Sequence, residues 1–116
     1  MYVFRKLQEK LKQFDLNLTV TEEIKNLKRG KEVVVGGKIT NLYSDFFCPG
    51  NKYMTIDDDI GDTNVYFVGP VYKEFQDILA EGNIILVKGR IADGKAGKGK
   101  GIRSIACESV ELVDSG

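Results

Sequence analysis

Glu32-Val33-Val34-Val35-Gly36-Gly37-Lys38-Ile39-Thr40-Asn41-Leu42-Tyr43 reads as one long strand. Alternation puts Val33, Val35, Gly37 and Ile39 on one face and Val34, Gly36, Lys38, Thr40 and Leu42 on the other. A strand of this length that wraps a small barrel must coil sharply midway, where Gly36 and Gly37 stand. The glycine pair either marks that bend or merely slackens the strand.

Four further strands follow downstream, and the first two repeat the alternation. Lys52 to Asp57 turns Met54 and Ile56 inward and Tyr53, Thr55 and Asp57 outward; Asn64 to Val68 turns Val65 and Phe67 one way and Tyr66 the other. Ile84 to Ile91 is an apolar run that becomes polar at Lys88 and Arg90, and Ile102 to Val113 is the last strand. Between the third and fourth strands, Pro70 suits the first turn of a helix whose stripe of Val71, Phe75, Ile78 and Leu79 runs to Ala80. Glu81-Gly82-Asn83 then stops it. Asp58-Asp59-Ile60-Gly61-Asp62 is a hairpin turn, its aspartates bonding their own backbone. A magnesium site would need carboxylates converging from separate segments, and no second acidic cluster is present.

Ahead of the strands lie 31 residues that read as a helical lead-in. Phe4, Leu7, Leu11 and Phe14 form an apolar stripe on an amphipathic helix over residues 2 to 14. Thr21 looks like the N-cap of a second, very short helix, and Gly30 suits a left-handed stop. A chain of 116 residues is thus divided into a lead-in, 1 to 31, and one domain, 32 to 116. No apolar run approaches the roughly 18 residues that span a bilayer, and the N-terminus does not read as a signal peptide. A cytoplasmic protein without membrane contact is expected. Two cysteines far apart and no histidine leave little from which to build a zinc site. No cofactor, no metal and no small-molecule substrate are expected.

Five strands, a helix between the third and fourth, and long loops after the first and fourth describe a mainly β chain. The topology is the five-stranded Greek-key OB-fold barrel. The residues also resemble a family. Val33-Val34-Val35-Gly36-Gly37-Lys38-Ile39-Thr40, Thr55-Ile56-Asp57-Asp58 with Gly61, Val71-Tyr72-Lys73, Ile85-Leu86-Val87-Lys88-Gly89-Arg90-Ile91 and Ile105-Ala106-Cys107-Glu108-Ser109-Val110 resemble the C-terminal OB domain of the bacterial replicative DNA polymerase III alpha subunit. Phe4-Arg5-Lys6-Leu7 and Glu22-Glu23-Ile24-Lys25-Asn26-Leu27 resemble the helical approach to that domain. The resemblance implies a DNA-replication role, holding single-stranded template DNA, with the rest of a polymerase or replisome as partner.

The ligand face can also be argued from chemistry alone. A sequence-tolerant binder of single strands needs cations along a groove and aromatic platforms within it. Tyr53 and Tyr66 point outward from neighbouring strands, and Phe46 and Phe47 sit mid-loop where they could overhang them. Either one phenylalanine plugs the barrel end while the other is exposed, or both face a partner. Lys38, Lys52, Lys88, Arg90, Lys95, Lys98, Lys100 and Arg103 are the candidate phosphate contacts. The net charge is zero, but residues 88 to 103 hold six bases against one acid, and electrostatic footprints are local. Weak, salt-sensitive binding of single-stranded DNA, with RNA possible, is the expectation. The alternative is a protein-interaction or spacer module, since fold alone does not set function. Catalysis is not expected of this chain, which has no histidine, no nucleophile elbow and no Walker loop in Gly97-Lys98-Gly99-Lys100-Gly101.

Overall fold

The computed structural model of the chain describes residues 2–14, 27–93 and 103–115. Its elements are helix α1 (Tyr2–Phe14), strands β1 (Glu32–Ser44), β2 (Lys52–Asp57) and β3 (Asp62–Phe67), helix α2 (Gly69–Phe75) with a 3-10 turn (Gln76–Ile78), and strands β4 (Ile84–Asp93) and β5 (Arg103–Asp114). The short helix expected from Thr21 lies outside the described residues. Gly30 does take the left-handed conformation, at φ 87°.

The strands close into a barrel in the order β1-β2-β3-β5-β4, the mainly β Greek-key architecture expected from the sequence. The first half of β1 pairs with β4 and its second half with β2, so one strand serves both walls. The exchange happens at Lys38, which pairs with both neighbours and directly follows Gly36-Gly37. A Cβ on Gly37 would stand 2.7 Å from the Asp57 carbonyl oxygen, and one on Gly36 would stand 2.6 Å from Leu7 Cδ2. The glycines therefore admit close backbone and helix approach, which a slack strand would not require. All neighbouring pairs are antiparallel except β3 with β5, a parallel seam that among the described residues joins Asn64 with Ser104, Val65 with Ile105 and Tyr66 with Ala106.

Phe67, Ile39, Met54, Ile56, Ile85, Ile91 and Ile105 fill the barrel with almost no exposure. Each such side chain contributes roughly 1.5–3 kcal/mol by leaving water. Val71, Tyr72, Phe75 and Ile78 of the α2 segment pack against this core. The helix is shorter than the Pro70 to Ala80 stripe suggested, because the chain tightens into the 3-10 turn at Gln76. Likewise β3 starts two residues earlier than expected, through Asp62 pairing with Asp57, and Val68 leaves it as the residue before α2. Outside the barrel, Val3, Leu7 and Leu11 of α1 bury against Ile84 and Leu86. The side chains of Phe4 and Phe14 lie outside the described set.

Neither cysteine is in a disulfide: Cys107 is buried and Cys48 is exposed. Burial, with a smaller contribution from the Glu108 charge, pushes the Cys107 thiol from 9.0 up to about 12. At pH 8 a thiol reagent should therefore label Cys48 in the native chain and reach Cys107 only in denaturant. The raised thiol stabilises the fold fully below pH 9, and that contribution is lost as pH rises toward 12. Thermal melts above pH 9 should fall more steeply for the native chain than for Cys107→Val.

Candidate nucleic-acid interface

The outer face of β1, β2 and β3 carries a row of three tyrosines. Tyr43 stands opposite Tyr53, and Tyr53 opposite Tyr66. Ring centroids are 5.6 Å apart at 21° for the first pair and 4.9 Å apart at 52° for the second. Tyr53 and Tyr66 were legible from strand alternation, whereas Tyr43 was not. A register shift between Ile39 and Asn41 inserts one extra residue into β1 and reverses the in-out order beyond it. Leu42, expected outward, instead lies opposite buried Met54 and packs on the core. Tyr43 is turned out and is 42% exposed. The one available sequence signal was the mismatch this bulge resolves: strict alternation would have put a phenol inside and a leucine outside. Around Tyr53 the burial, then the Asp45 charge, then the flanking phenols all push its hydroxyl toward staying protonated.

Beyond Tyr43 the chain enters the loop 45–51. Phe46 and Phe47 are 88% and 75% exposed, their rings edge to face at 5.1 Å and 84°. Of the two arrangements left open by the sequence, both rings are presented and neither plugs the barrel. The loop beneath them is tied down. Asp45 is 7% exposed, and its Oδ1 accepts the Phe47 N–H at 3.0 Å. The Asp45 N–H donates to the Asn51 carbonyl at 3.0 Å, and the Asn51 N–H to the Cys48 carbonyl at 2.8 Å.

The predicted cations divide. Lys52 shares the inward parity of Met54 and Ile56, so at the strand's end its ammonium turns to the barrel mouth. There it donates to Ser44 Oγ at 2.7 Å and stands 5.3 Å over the Tyr72 ring, away from the tyrosine row. Lys38 is exposed on β1, level with Asp57 of β2. Lys88 and Arg90 belong to β4, which pairs with β1 and β5 and not with β2 or β3. Arg90 is occupied there: it donates to Glu32 Oε1 at 2.7 Å, Glu108 Oε2 at 3.2 Å and the Gly30 carbonyl at 3.2 Å. Lys95, Lys98 and Lys100 lie outside the described residues, and of Arg103 only the backbone is described, opposite Asp93. The base of their loop is nevertheless fixed, since Ser104 pairs with Asn64, two residues along β3 from Tyr66.

The acidic turn is structural. Asp57 Oδ1 accepts the Asp59 N–H at 2.8 Å, and Asp58 Oδ1 accepts those of Ile60 and Gly61 at 2.9 Å each. Asp59, at φ 76°, is the tight point of the turn. Among the described residues no group of three or more metal-ligating side chains comes together, and no helix is long and apolar enough to cross a membrane.

No family model and no curated protein matches the chain. Solved structures do. Asparaginyl-tRNA synthetase from Pyrococcus horikoshii is similar over 86% of this chain and 24% of its own, at TM-score 0.69 and 19% identity. An OBody bound to hen egg-white lysozyme is similar over 86% of this chain and 97% of its own, at TM-score 0.62 and 26% identity. The S. pombe Stn1-Ten1 complex is similar over 70% of this chain and 57% of its own, at TM-score 0.52 and 18% identity. The chain spans about a quarter of the synthetase it resembles. With the closed strand order, the tyrosine row and these likenesses in hand, the chain is an OB-fold barrel.

Proposed function

We propose that this barrel binds single-stranded nucleic acid with little sequence preference. The observation that carries the reading is the row Tyr43, Tyr53 and Tyr66, an aromatic platform three strands wide on the outer face. Every base has a flat face, so such a row takes bases regardless of identity. The tRNA synthetase among the structural neighbours supports the same class of ligand. The sequence resemblance to a replicative polymerase supports the finer assignment, single-stranded template DNA held during replication. In that reading the chain is a binding unit and catalysis resides elsewhere.

The cations of the described face do not suffice for this. Lys52 is turned to the barrel end, and Asp45, Asp57 and Asp62 stand on or beside the same three strands. Phosphate neutralisation therefore falls to the lysine loop rooted beside β3. Changing Lys95, Lys98 and Lys100 together to glutamine should weaken oligo-dT binding and flatten its log-log salt dependence by about 2, near 0.7 per lost contact. Lys88→Gln, on the other wall, should change neither. Fluorescence anisotropy on labelled oligo-dT and oligo-U at low salt reads both and separates DNA from RNA preference. No binding of either strand would sink the reading.

The exposed Phe46 and Phe47 favour a second reading, a protein-docking module. The OBodies bound to lysozyme are barrels of this fold that engage a protein. Under that reading Phe46→Ala with Phe47→Ala abolishes partner capture, while the tyrosine row is dispensable.

A further inference from the structure

The loop 45–51 is joined to β3 and to the start of α2 by a chain of polar contacts that ordinary loop structure does not require. The Gly69 N–H donates to Asn51 Oδ1 at 2.9 Å, and Asn51 Nδ2 donates to the Tyr66 hydroxyl at 2.6 Å. That hydroxyl in turn reaches Asp45 Oδ2 at 3.4 Å, and Asp45 Oδ1 holds the Phe47 N–H. Gly69 makes room for the approach: a Cβ there would lie 3.3 Å from the Gly50 carbonyl oxygen. Each group in this relay polarises the next, so a half-buried network of this kind is stiffer than its separate bonds.

We infer that Asp45, Asn51 and the hydroxyl of Tyr66 are positioning residues: they hold the 45–51 loop against β3 so that Phe46 and Phe47 are presented in a fixed place relative to the tyrosine row. Two open phenylalanines on a loose loop would be a poor binding element, because ordering them would be charged against each association. On a braced loop that ordering is already complete. The ring geometry limits what the tip can do. With the two rings 84° apart, one can lie flat on a base while the other supports it, so the tip extends the platform by one base. Tyr66 then has two separable functions, its ring in the platform and its hydroxyl in the brace.

Tyr66→Phe separates them, since it keeps the ring and deletes the hydroxyl. The binding arm of the test rests on the single-strand reading above; the exchange arm does not. Hydrogen exchange by NMR should show the Phe47 and Asn51 amides losing protection in Tyr66→Phe and in Asn51→Ser, with core amides of β2 and β4 unchanged. Oligo-dT affinity should fall about 2- to 10-fold in Tyr66→Phe, the range of one net hydrogen bond. In a chain already carrying Phe46→Ala and Phe47→Ala, adding Tyr66→Phe should produce no further loss, because the brace then has nothing to present. Unchanged protection of the Phe47 amide in both variants would overturn the inference. So would an affinity loss that persists undiminished in the background lacking the phenylalanines. If oligonucleotides fail to bind at all, the function falls and the brace is decided by exchange alone.

Discussion

Replacing Tyr53 with alanine is expected to weaken oligo-dT binding about 5- to 150-fold, the equivalent of the roughly 1–3 kcal/mol that one stacked base contributes. Tyr53 is the right place to cut because it lies in the middle of the row. Its ring is within 5.6 Å of Tyr43 and 4.9 Å of Tyr66, so its loss breaks the platform into two separated rings. Tyr53→Phe keeps the flat face and should bind nearly as the native chain does. Tyr53→Ala also removes two cross-strand aromatic pairs, each worth roughly 0.2–1 kcal/mol of stability. Circular-dichroism melts of both variants therefore accompany the anisotropy titrations. A folded Tyr53→Ala that binds like the native chain would refute the platform.

The largest effect on the fold itself is expected at Gly89. A Cβ at this position would lie 2.3 Å from the Ala106 carbonyl oxygen and 2.8 Å from Ile105 Cγ2. The first obstacle is backbone, so no side-chain rotation relieves it. Gly89 also sits where the β4–β5 register shifts: Lys88 pairs with Ser109 and Gly89 with Cys107, which leaves Glu108 as the extra residue on β5. Gly89→Ala should cost about 3 kcal/mol, the upper part of the usual overpacking range, and lower the melting temperature by roughly 10–20 °C. Gly50→Ala is the matched control, since a Cβ there meets nothing within 4 Å, and it should stay within about 0.5 kcal/mol of the native chain. Equal melting temperatures for the two variants would show that the close approach at Gly89 tolerates a side chain.

The contrast between these two positions also marks what a sequence discloses. Strand alternation carries burial directly, which is why Met54, Ile56, Val65 and Phe67 read as inward and Tyr53 and Tyr66 as outward from the sequence. It fails where the count slips. Nothing in Ile39-Thr40-Asn41 announces an extra residue, so alternation groups Leu42 with the outward Lys38 and Thr40 and does not single out Tyr43, the third platform tyrosine. It fails again where a charge finds a partner that is remote in sequence. Arg90 looked like a phosphate contact because the helpers that occupy it, Glu32 and Glu108, lie 58 and 18 residues away. Lys52 had the right strand but the wrong end, because the end residue of a strand follows parity into the barrel mouth. The brace under Phe46 and Phe47 was invisible for the same reason, since Asp45, Asn51, Tyr66 and Gly69 meet only once β3 and the loop are folded together.

The parallel seam between β3 and β5 has its own consequence for how this barrel breathes. Among the described residues it is the shortest joint in the ring, resting on Asn64, Val65 and Tyr66 against Ser104, Ile105 and Ala106, while β4 and β5 are zipped along nearly their whole length. Local opening selects the joint with the fewest bonds to break, so amides along this seam should exchange ahead of the rest of the wall. Tyr66 lies on one side of the joint, and the lysine loop springs from the other. A strand of nucleic acid resting on both would act as a suture across the weakest edge, and its affinity would reappear as added resistance to unfolding.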